Sequence, residues 1–253
     1  YYNWAKGPEA PTDAGSAGNF YKTEAAKADF YFDSSSISLV GAVKQGDRGM
    51  LGAFGQWTVN DATLLYFDMA LRQGSSAYYP VVDSTSPTGG TLEQTQDDSQ
   101  ALKPEILVGT SYTTLENITF YLEYLYYSPA YTESQQNDYN SIAATSADVL
   151  EDPDSPYQAQ AGMLLGQAFY NGLRFERQNQ LMFQITKDIG DFSLVNQNVF
   201  GPDDFSGYIY GCIIYTYTHN QFMLAAQRYF GNQDSQYRSQ MDYIISVGYM
   251  LSM

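Results

Sequence analysis

Apolar and polar residues alternate along most of this chain, which is the pattern of a β-strand with one apolar face. The last segment is the clearest, since from Met241 to Met253 every second residue is large and apolar while the others are mixed, small or polar. The alternation predicts strands at about 37–44, 49–59, 63–73, 104–113, 117–128, 169–188, 192–200, 207–217, 221–231 and 241–253, and a candidate strand at about 22–33.

The connections between these strands alternate between short and long. Short turns are predicted at 60–62, 114–116, 189–191 and 218–220, and long polar loops at 74–103 and 129–168. Only the segment from Gln45 to Arg48 is short where the alternation requires a longer connection. Short turns at one edge and longer loops at the other predict an antiparallel up-and-down β-barrel of the kind that spans an outer membrane.

Alternation alone does not separate a membrane barrel from a soluble β-protein, because both alternate. Three features favour the barrel. The strands are about ten residues or longer, as a tilted crossing requires. Tyrosines are frequent near the strand ends, where a membrane interface favours rings with one wet side. Charges such as Asp68 and Glu123 lie in mid-strand on the polar faces, which a water-filled interior tolerates. A soluble all-β module that binds glycans through its tyrosines stays open as the alternative.

The C-terminal segment resembles the closing strand of Gram-negative outer-membrane β-barrels, through the alternating apolar residues Tyr243, Ile245, Val247, Tyr249 and Leu251. Those chains usually end in an aromatic residue, and Met253 departs from that pattern. The resemblance extends as a pattern over residues 28–253 and is porin-like without indicating a subfamily. It implies a location in the bacterial outer membrane and a channel for small solutes or ions, or the barrel component of an envelope assembly.

The predicted organisation is an N-terminal extension or loop at 1–27, followed by a transmembrane β-barrel at 28–253 with about 10–12 strands. Bacterial single-chain barrels have even strand numbers and both termini on the periplasmic side. If 22–33 is a strand, the count is odd, and the chain is then expected to be the C-terminal portion of a larger barrel. The alternative is a closed ten-stranded barrel in which 37–44 pairs with 241–253.

Composition excludes several other classes of protein. The chain has 12 Lys and Arg against 28 Asp and Glu, a formal charge of −16, which argues against a nucleic-acid partner. One Cys and one His exclude a disulfide framework and a Cys- or His-rich metal site. No phosphate-binding loop or dinucleotide fingerprint is present, so we expect no cofactor. The expected partners are membrane lipid, small solutes or cations, and a second copy or other envelope proteins.

Parity along each strand separates two sets of candidate residues. Those predicted to line the interior, as a charge filter or as an ion-pair network that fills the barrel, are Asp68, Arg72, Glu123, Arg174, Glu176 and Asp188. Those predicted to face lipid are Phe67, Phe120, Leu122, Phe183, Ile245 and Val247.

Two further sets of residues suggest chemistry only weakly. The acidic residues Asp148, Glu151, Asp152 and Asp154 offer oxygen ligands for Ca²⁺, but their spacing does not fit an EF-hand, so a solvated acidic surface is the favoured interpretation. His219, the single histidine, would be required by a barrel hydrolase, but it lies in a short turn far from Asp203 and Asp204. We therefore expect that the chain is not an enzyme.

Overall fold

The computed structural model describes residues 23–44, 49–75, 77–94, 101–218, 220–232, 235–237 and 242–251. Over these ranges the chain forms thirteen strands and two helices. They are β1 (Thr23–Phe32), β2 (Ser35–Lys44), β3 (Gly49–Asn60), β4 (Thr63–Gln73), β5 (Tyr79–Val82), β6 (Gly90–Glu93), β7 (Leu102–Thr113), β8 (Ile118–Tyr127), α1 (Glu133–Glu151), α2 (Gln158–Phe169), β9 (Asn179–Ile189), β10 (Phe192–Gly201), β11 (Ser206–Tyr217), β12 (Asn220–Phe230) and β13 (Tyr243–Leu251).

Eleven strands form one antiparallel sheet in the order β1-β2-β3-β4-β7-β8-β9-β10-β11-β12-β13. Every neighbour in this sheet is also the next strand of the sheet along the chain, so the arrangement is up-and-down throughout. The all-β antiparallel fold with about 10–12 strands, predicted from period-two alternation, is confirmed. The sheet reaches back to Thr23, and the candidate strand at 22–33 is present as β1. Residues 23–27 therefore belong to that strand and not to the N-terminal extension.

The ten-stranded closure considered above is wrong. Strand β2, which contains 37–44, is hydrogen-bonded to β1 on one side and to β3 on the other, so neither edge is left for the C-terminal strand. Within the part of the chain that the structure describes, β1 pairs only with β2 and β13 pairs only with β12.

Five short connections lie at one end of the sheet, as predicted, after β1, β3, β7, β9 and β11. At the other end the connections after β4 and β8 are long, whereas those after β2 and β10 have only four residues each. Three of the five short turns contain a residue with a left-handed backbone, namely Asn117 with φ 58°, Gly190 with φ 57° and Thr218 with φ 51°. Asn and Gly adopt this conformation at little steric cost.

The two long connections are not irregular loops. The connection after β4 contains the hairpin β5–β6, and the connection after β8 contains the antiparallel-packed helices α1 and α2. These four elements contact one another, and we refer to them together as the cap. Helix α1 begins with a capping box, in which Thr132 accepts from the backbone of Gln135 and the Gln135 side chain accepts from the backbone of Thr132.

Among the described residues, the buried apolar side chains of the cap form two small clusters. Tyr79 and Tyr131 pack edge to face with ring centroids 5.8 Å apart, and the Tyr79 hydroxyl donates to the carbonyl of Pro129. Leu92 of β6 packs with Leu164 of α2 in the second cluster. Burial raises the pKa of the Tyr139 hydroxyl, which lies between the two clusters, to about 12.

The predicted strand at 169–188 is wrong in its first half. Phe169 ends helix α2, and residues 170–178 form an irregular segment that makes one isolated bridge, between Tyr131 and Arg177. Strand β9 begins only at Asn179. The shared parity of apolar residues across 169–175 therefore does not reflect a continuous strand, because a helix end and a loop supplied the apolar positions.

Candidate functional site

The sheet has two chemically different faces, and the register assigns each predicted residue to one of them. Leu122 lies opposite Phe183, Phe120 lies opposite Ile185, and Phe67 lies opposite Val108. Directly opposed residues share a face of an antiparallel sheet. All six residues that we predicted to face lipid lie on this apolar face: Phe67, Phe120, Leu122, Phe183, Ile245 and Val247.

The apolar face is exposed over much of its area. Leu122 is 52% exposed, Ile245 69% and Val247 82%, although water would favour burial of such side chains. Soluble monomers rarely expose contiguous apolar patches above a few hundred Å². The described part of the chain contains no helix that is long and apolar enough to span a membrane.

Four of the six predicted interior residues lie on the opposite, polar face of the sheet, namely Asp68, Arg72, Glu123 and Asp188. Arg174 and Glu176 lie instead in the irregular segment between α2 and β9, so parity was not a valid guide to their orientation.

The structure brings Asp68, Arg72 and Arg174 together. With Glu105, they line a cavity of about 360 Å³ on the polar face, near the end of the sheet that carries the long connections. Arg72 Nε lies 3.1 Å from Glu105 Oε1, and the Arg72 side chain is 54% exposed, so the arginine is held at the rim rather than buried. Two acidic and two basic side chains therefore line this one cavity.

Glu123 belongs to a second polar contact deeper along the sheet. The hydroxyl of Tyr66 donates to Glu123 Oε1 at 2.5 Å, although β7 lies between their strands. The tyrosine ring crosses β7 above Gly109, where an added Cβ would lie 2.5 Å from the ring. Glycine at this position is therefore required for the contact, because any side chain would occupy the space of the Tyr66 ring.

Glu176 and its neighbours form a buried polar cluster at the base of the cap. Arg177 Nε lies 3.4 Å from Asp204 Oδ2, and the two side chains are only 7% and 6% exposed. Asp204 also accepts from the backbone N–H groups of Ser206 and Gln236. Burial raises the pKa of Glu176, and the positive charge of Arg177 opposes that shift. The cluster joins residues from three connections and so fixes the position of the segment that carries Arg174.

The remaining candidates lie away from the cavity and from the buried cluster. Asp188 accepts from Ser193 at the short-turn end of the sheet. Asp148 and Glu151 lie at the end of α1, where the Asp152 carboxylate accepts from the backbone of Asp154. Among the described residues no group of three His, Cys, Asp or Glu side chains is placed to hold a metal ion. The four acidic Ca²⁺ candidates therefore do not form such a group. His219 lies outside the described residues.

Several interior residues were missed by the sequence analysis. Glu105 and Tyr66 both occupy polar-face positions of predicted strands, so the same parity that indicated Asp68 could have indicated them. Arg177 and Asp204 lie in connections, where no periodicity gives a direction. The cap helices had local signals: the capping box at Thr132, and the apolar spacing of Ala161, Leu164 and Ala168 in α2.

Comparison with known proteins gives little at the level of sequence. No protein-family model matches this chain, and no curated protein shows significant similarity to it. Among solved structures, the chain is similar to outer membrane phospholipase A from Escherichia coli, with 10% identity and a TM-score of 0.36. The match covers 92% of this chain and 80% of that one.

That match leads to one correction. Since the matched structure is named as an enzyme, the expectation that this chain is not an enzyme is contradicted and is withdrawn. At this identity and TM-score the likeness does not show that the present chain is a phospholipase. What can be said of the chain's function therefore depends on its own residues.

Proposed function

We propose that this chain forms the wall of a bacterial outer-membrane β-barrel and acts as a porin-like channel for small solutes or ions. The observation that carries the proposal is the contrast between the two faces of the sheet. One face exposes large apolar side chains such as Leu122 and Val247, and the other gathers Asp68, Arg72 and Arg174 around a cavity. In a membrane barrel the apolar face would contact lipid on the outside and the polar face would contact water on the inside.

The dimensions of the strands support the same proposal. The strands of the large sheet have nine to twelve residues. At about 3.3 Å per residue and a tilt of about 40°, eleven residues reach roughly 28 Å along the membrane normal. That length fits the apolar band of about 25 Å on outer-membrane barrels.

A row of aromatic rings along the short-turn end of the apolar face adds support. Phe192, Tyr215, Phe222 and Tyr249 lie on four consecutive strands, with successive ring centroids 4.8, 6.4 and 5.1 Å apart. Aromatic residues form girdles at the two interfaces of membrane barrels, where a tyrosine hydroxyl reaches water while its ring contacts the acyl chains. The row therefore fits the position of the periplasmic interface.

The proposed pathway passes the cavity lined by Asp68, Arg72, Glu105 and Arg174. Its charges are mixed, whereas the whole chain carries a formal charge of −16 and the cap connections are acidic. This excess of negative charge should raise the local concentration of cations at the mouth. We therefore predict a cation-selective channel at low salt, with the selectivity lost at high salt because the field is screened.

The test is conductance of the purified protein in a planar bilayer, with reversal potentials measured at about 0.05 M and 1 M salt. The variant Asp68→Asn should reduce cation selectivity, because it removes an acidic group from the cavity. The matched control Asp83→Asn changes an aspartate of the cap hairpin that hydrogen-bonds Thr85, and it should have a smaller effect.

Three outcomes would contradict the proposal. Anion selectivity at low salt would refute the charge argument. Absence of conductance from protein that is inserted in the bilayer would refute the channel. Purification of the folded chain without detergent would favour the alternative of a soluble all-β module.

A further inference from the structure

The apolar face contains an open groove that the channel proposal does not use. The groove has a volume of about 820 Å³, which is within the range of small-molecule sites, and runs across β8 to β13. Its floor is made by Gly211 and Ala226, which lie opposite each other on β11 and β12, and by the exposed Asn196, which lies opposite Gly211 on β10. Its walls are large apolar side chains, among them Ile185, Leu194 and Leu224.

The floor is open because Gly211 carries no side chain. A Cβ added at Gly211 would have no atom within 4 Å, so the position faces free space. Ile213 and Leu224, in the adjacent row, are 46% and 53% exposed. The groove is therefore long and mainly apolar, and is bounded by branched side chains, which suits an extended hydrocarbon chain.

One end of the groove carries a positive charge. Lys187 lines the groove and lies in one row of the apolar face with Ile118 and Leu194. It is two residues from the end of β9, or about 7 Å along the strand, next to the short-turn interface. Within the described part of the chain Lys187 makes no ion pair, and none of the residues that line the groove is acidic.

We propose that this groove binds one anionic phospholipid of the periplasmic leaflet, with its phosphate at Lys187 and one acyl chain over Gly211 and Ala226. A lysine near the end of a membrane strand extends its amine toward the interface, where lipid phosphates lie. The charge selects an anionic headgroup, and the groove holds the chain. This inference rests on the membrane location in the proposed function, but not on the channel activity.

The experiment measures lipid binding to the full chain by native mass spectrometry. The protein is reconstituted in phosphatidylcholine vesicles containing about one-tenth phosphatidylglycerol, recovered by flotation and released in detergent. We expect one phosphatidylglycerol to be retained in preference to phosphatidylcholine. One cation near a membrane surface contributes about 1 kcal/mol, so Lys187→Gln should weaken retention about fivefold. Lys187→Arg keeps the charge and should restore retention.

A second pair of variants tests the acyl chain separately from the headgroup. Ala226→Leu fills the floor and should reduce retention of phosphatidylglycerol while Lys187 is intact. The matched control Ala53→Leu adds the same bulk elsewhere on the apolar face, between Leu39 and Met69, and should have no effect. Arg228→Gln removes a cation of the same face that lies outside the groove, and it should not change retention.

The outcomes separate this inference from the proposed function. Equal retention of both lipids, or equal losses in the groove and control variants, would overturn the lipid site while leaving the membrane barrel intact. Failure of the protein to float with vesicles would overturn the membrane location and therefore both proposals. Preferential retention without conductance would support the lipid site and contradict the channel.

Discussion

Replacement of Phe183 by Arg tests which face of the sheet contacts lipid. Phe183 lies near the middle of β9, on the apolar face, and is 40% exposed. Gln184 is its neighbour in sequence and lies on the polar face, opposite Tyr121. The two positions share the same strand and nearly the same depth, so they differ mainly in the medium that surrounds the side chain.

The expected magnitudes differ widely between the two positions. Arginine on the lipid face near the bilayer midplane costs about 2–4 kcal/mol, which is roughly a 30- to 900-fold change in the folding equilibrium. Phe183 also stacks on Phe120 with ring centroids 6.4 Å apart, and loss of the ring costs about 0.5–1.5 kcal/mol more. Phe183→Leu measures that second contribution alone. Gln184→Arg places its charge in water and should change stability by less than about 0.5 kcal/mol.

The assay is reversible unfolding by urea or guanidinium in lipid vesicles, with the free energy of unfolding taken from linear extrapolation. Equal costs for Phe183→Arg and Gln184→Arg would refute the assignment of faces. If the apolar face met water instead, Phe183→Arg would cost no more than Phe183→Leu. That result would refute the membrane location and not merely the orientation of one strand.

Two further predictions concern the interior and the cap. Gly109→Ala should displace the Tyr66 ring and break the hydrogen bond from Tyr66 to Glu123. The free energy of unfolding should fall by about 1.5–3 kcal/mol. An unchanged urea midpoint would contradict this prediction. The pKa of Glu176 is raised in the folded state, because burial disfavours the charged carboxylate more than Arg177 favours it. The stability that Glu176 contributes is therefore complete below its unfolded pKa of about 4.3. That stability is lost as the pH rises through the higher folded pKa. Glu176→Gln should remove that loss from a series of thermal unfolding curves, and a pH dependence identical to that of the unchanged chain would contradict the assignment.

The sheet could be predicted from the sequence because the same alternation of apolar and polar residues recurs in its strands. Leu122 and Glu123 lie on opposite faces of one strand, as do Phe67 and Asp68, so the alternation of apolar and polar residues follows the two faces of the sheet. The short turns could also be predicted, because a residue such as Asn117 is suited to the left-handed backbone conformation that it adopts in the turn. Register follows from such turns because they leave few ways to pair the flanking strands.

The cap and the buried cluster could not be predicted in the same way. Helix α1 is largely polar and buries few residues, among them Gln136 and Ile142, so its period of 3.6 is weak. The ion pair of Arg177 with Asp204 joins residues from separate connections, and no local pattern records such a contact. Arg174 lines the cavity because tertiary contacts fix the irregular segment that carries it. Its position in the alternating pattern was a coincidence, since this segment is not a strand.

The up-and-down order of the large sheet also determines how the chain can assemble. Because each strand of that sheet pairs with the strand of the sheet that precedes it, assembly can proceed one hairpin at a time without waiting for distant segments. The cap hairpin and helices interrupt this sequence only between β4 and β7 and between β8 and β9. The entropic free-energy cost of closing such a loop rises only slowly with its length, by about 0.6 kcal/mol for each doubling. Segments of different size and composition could therefore replace the cap during evolution with little effect on the rate at which the strands below it pair.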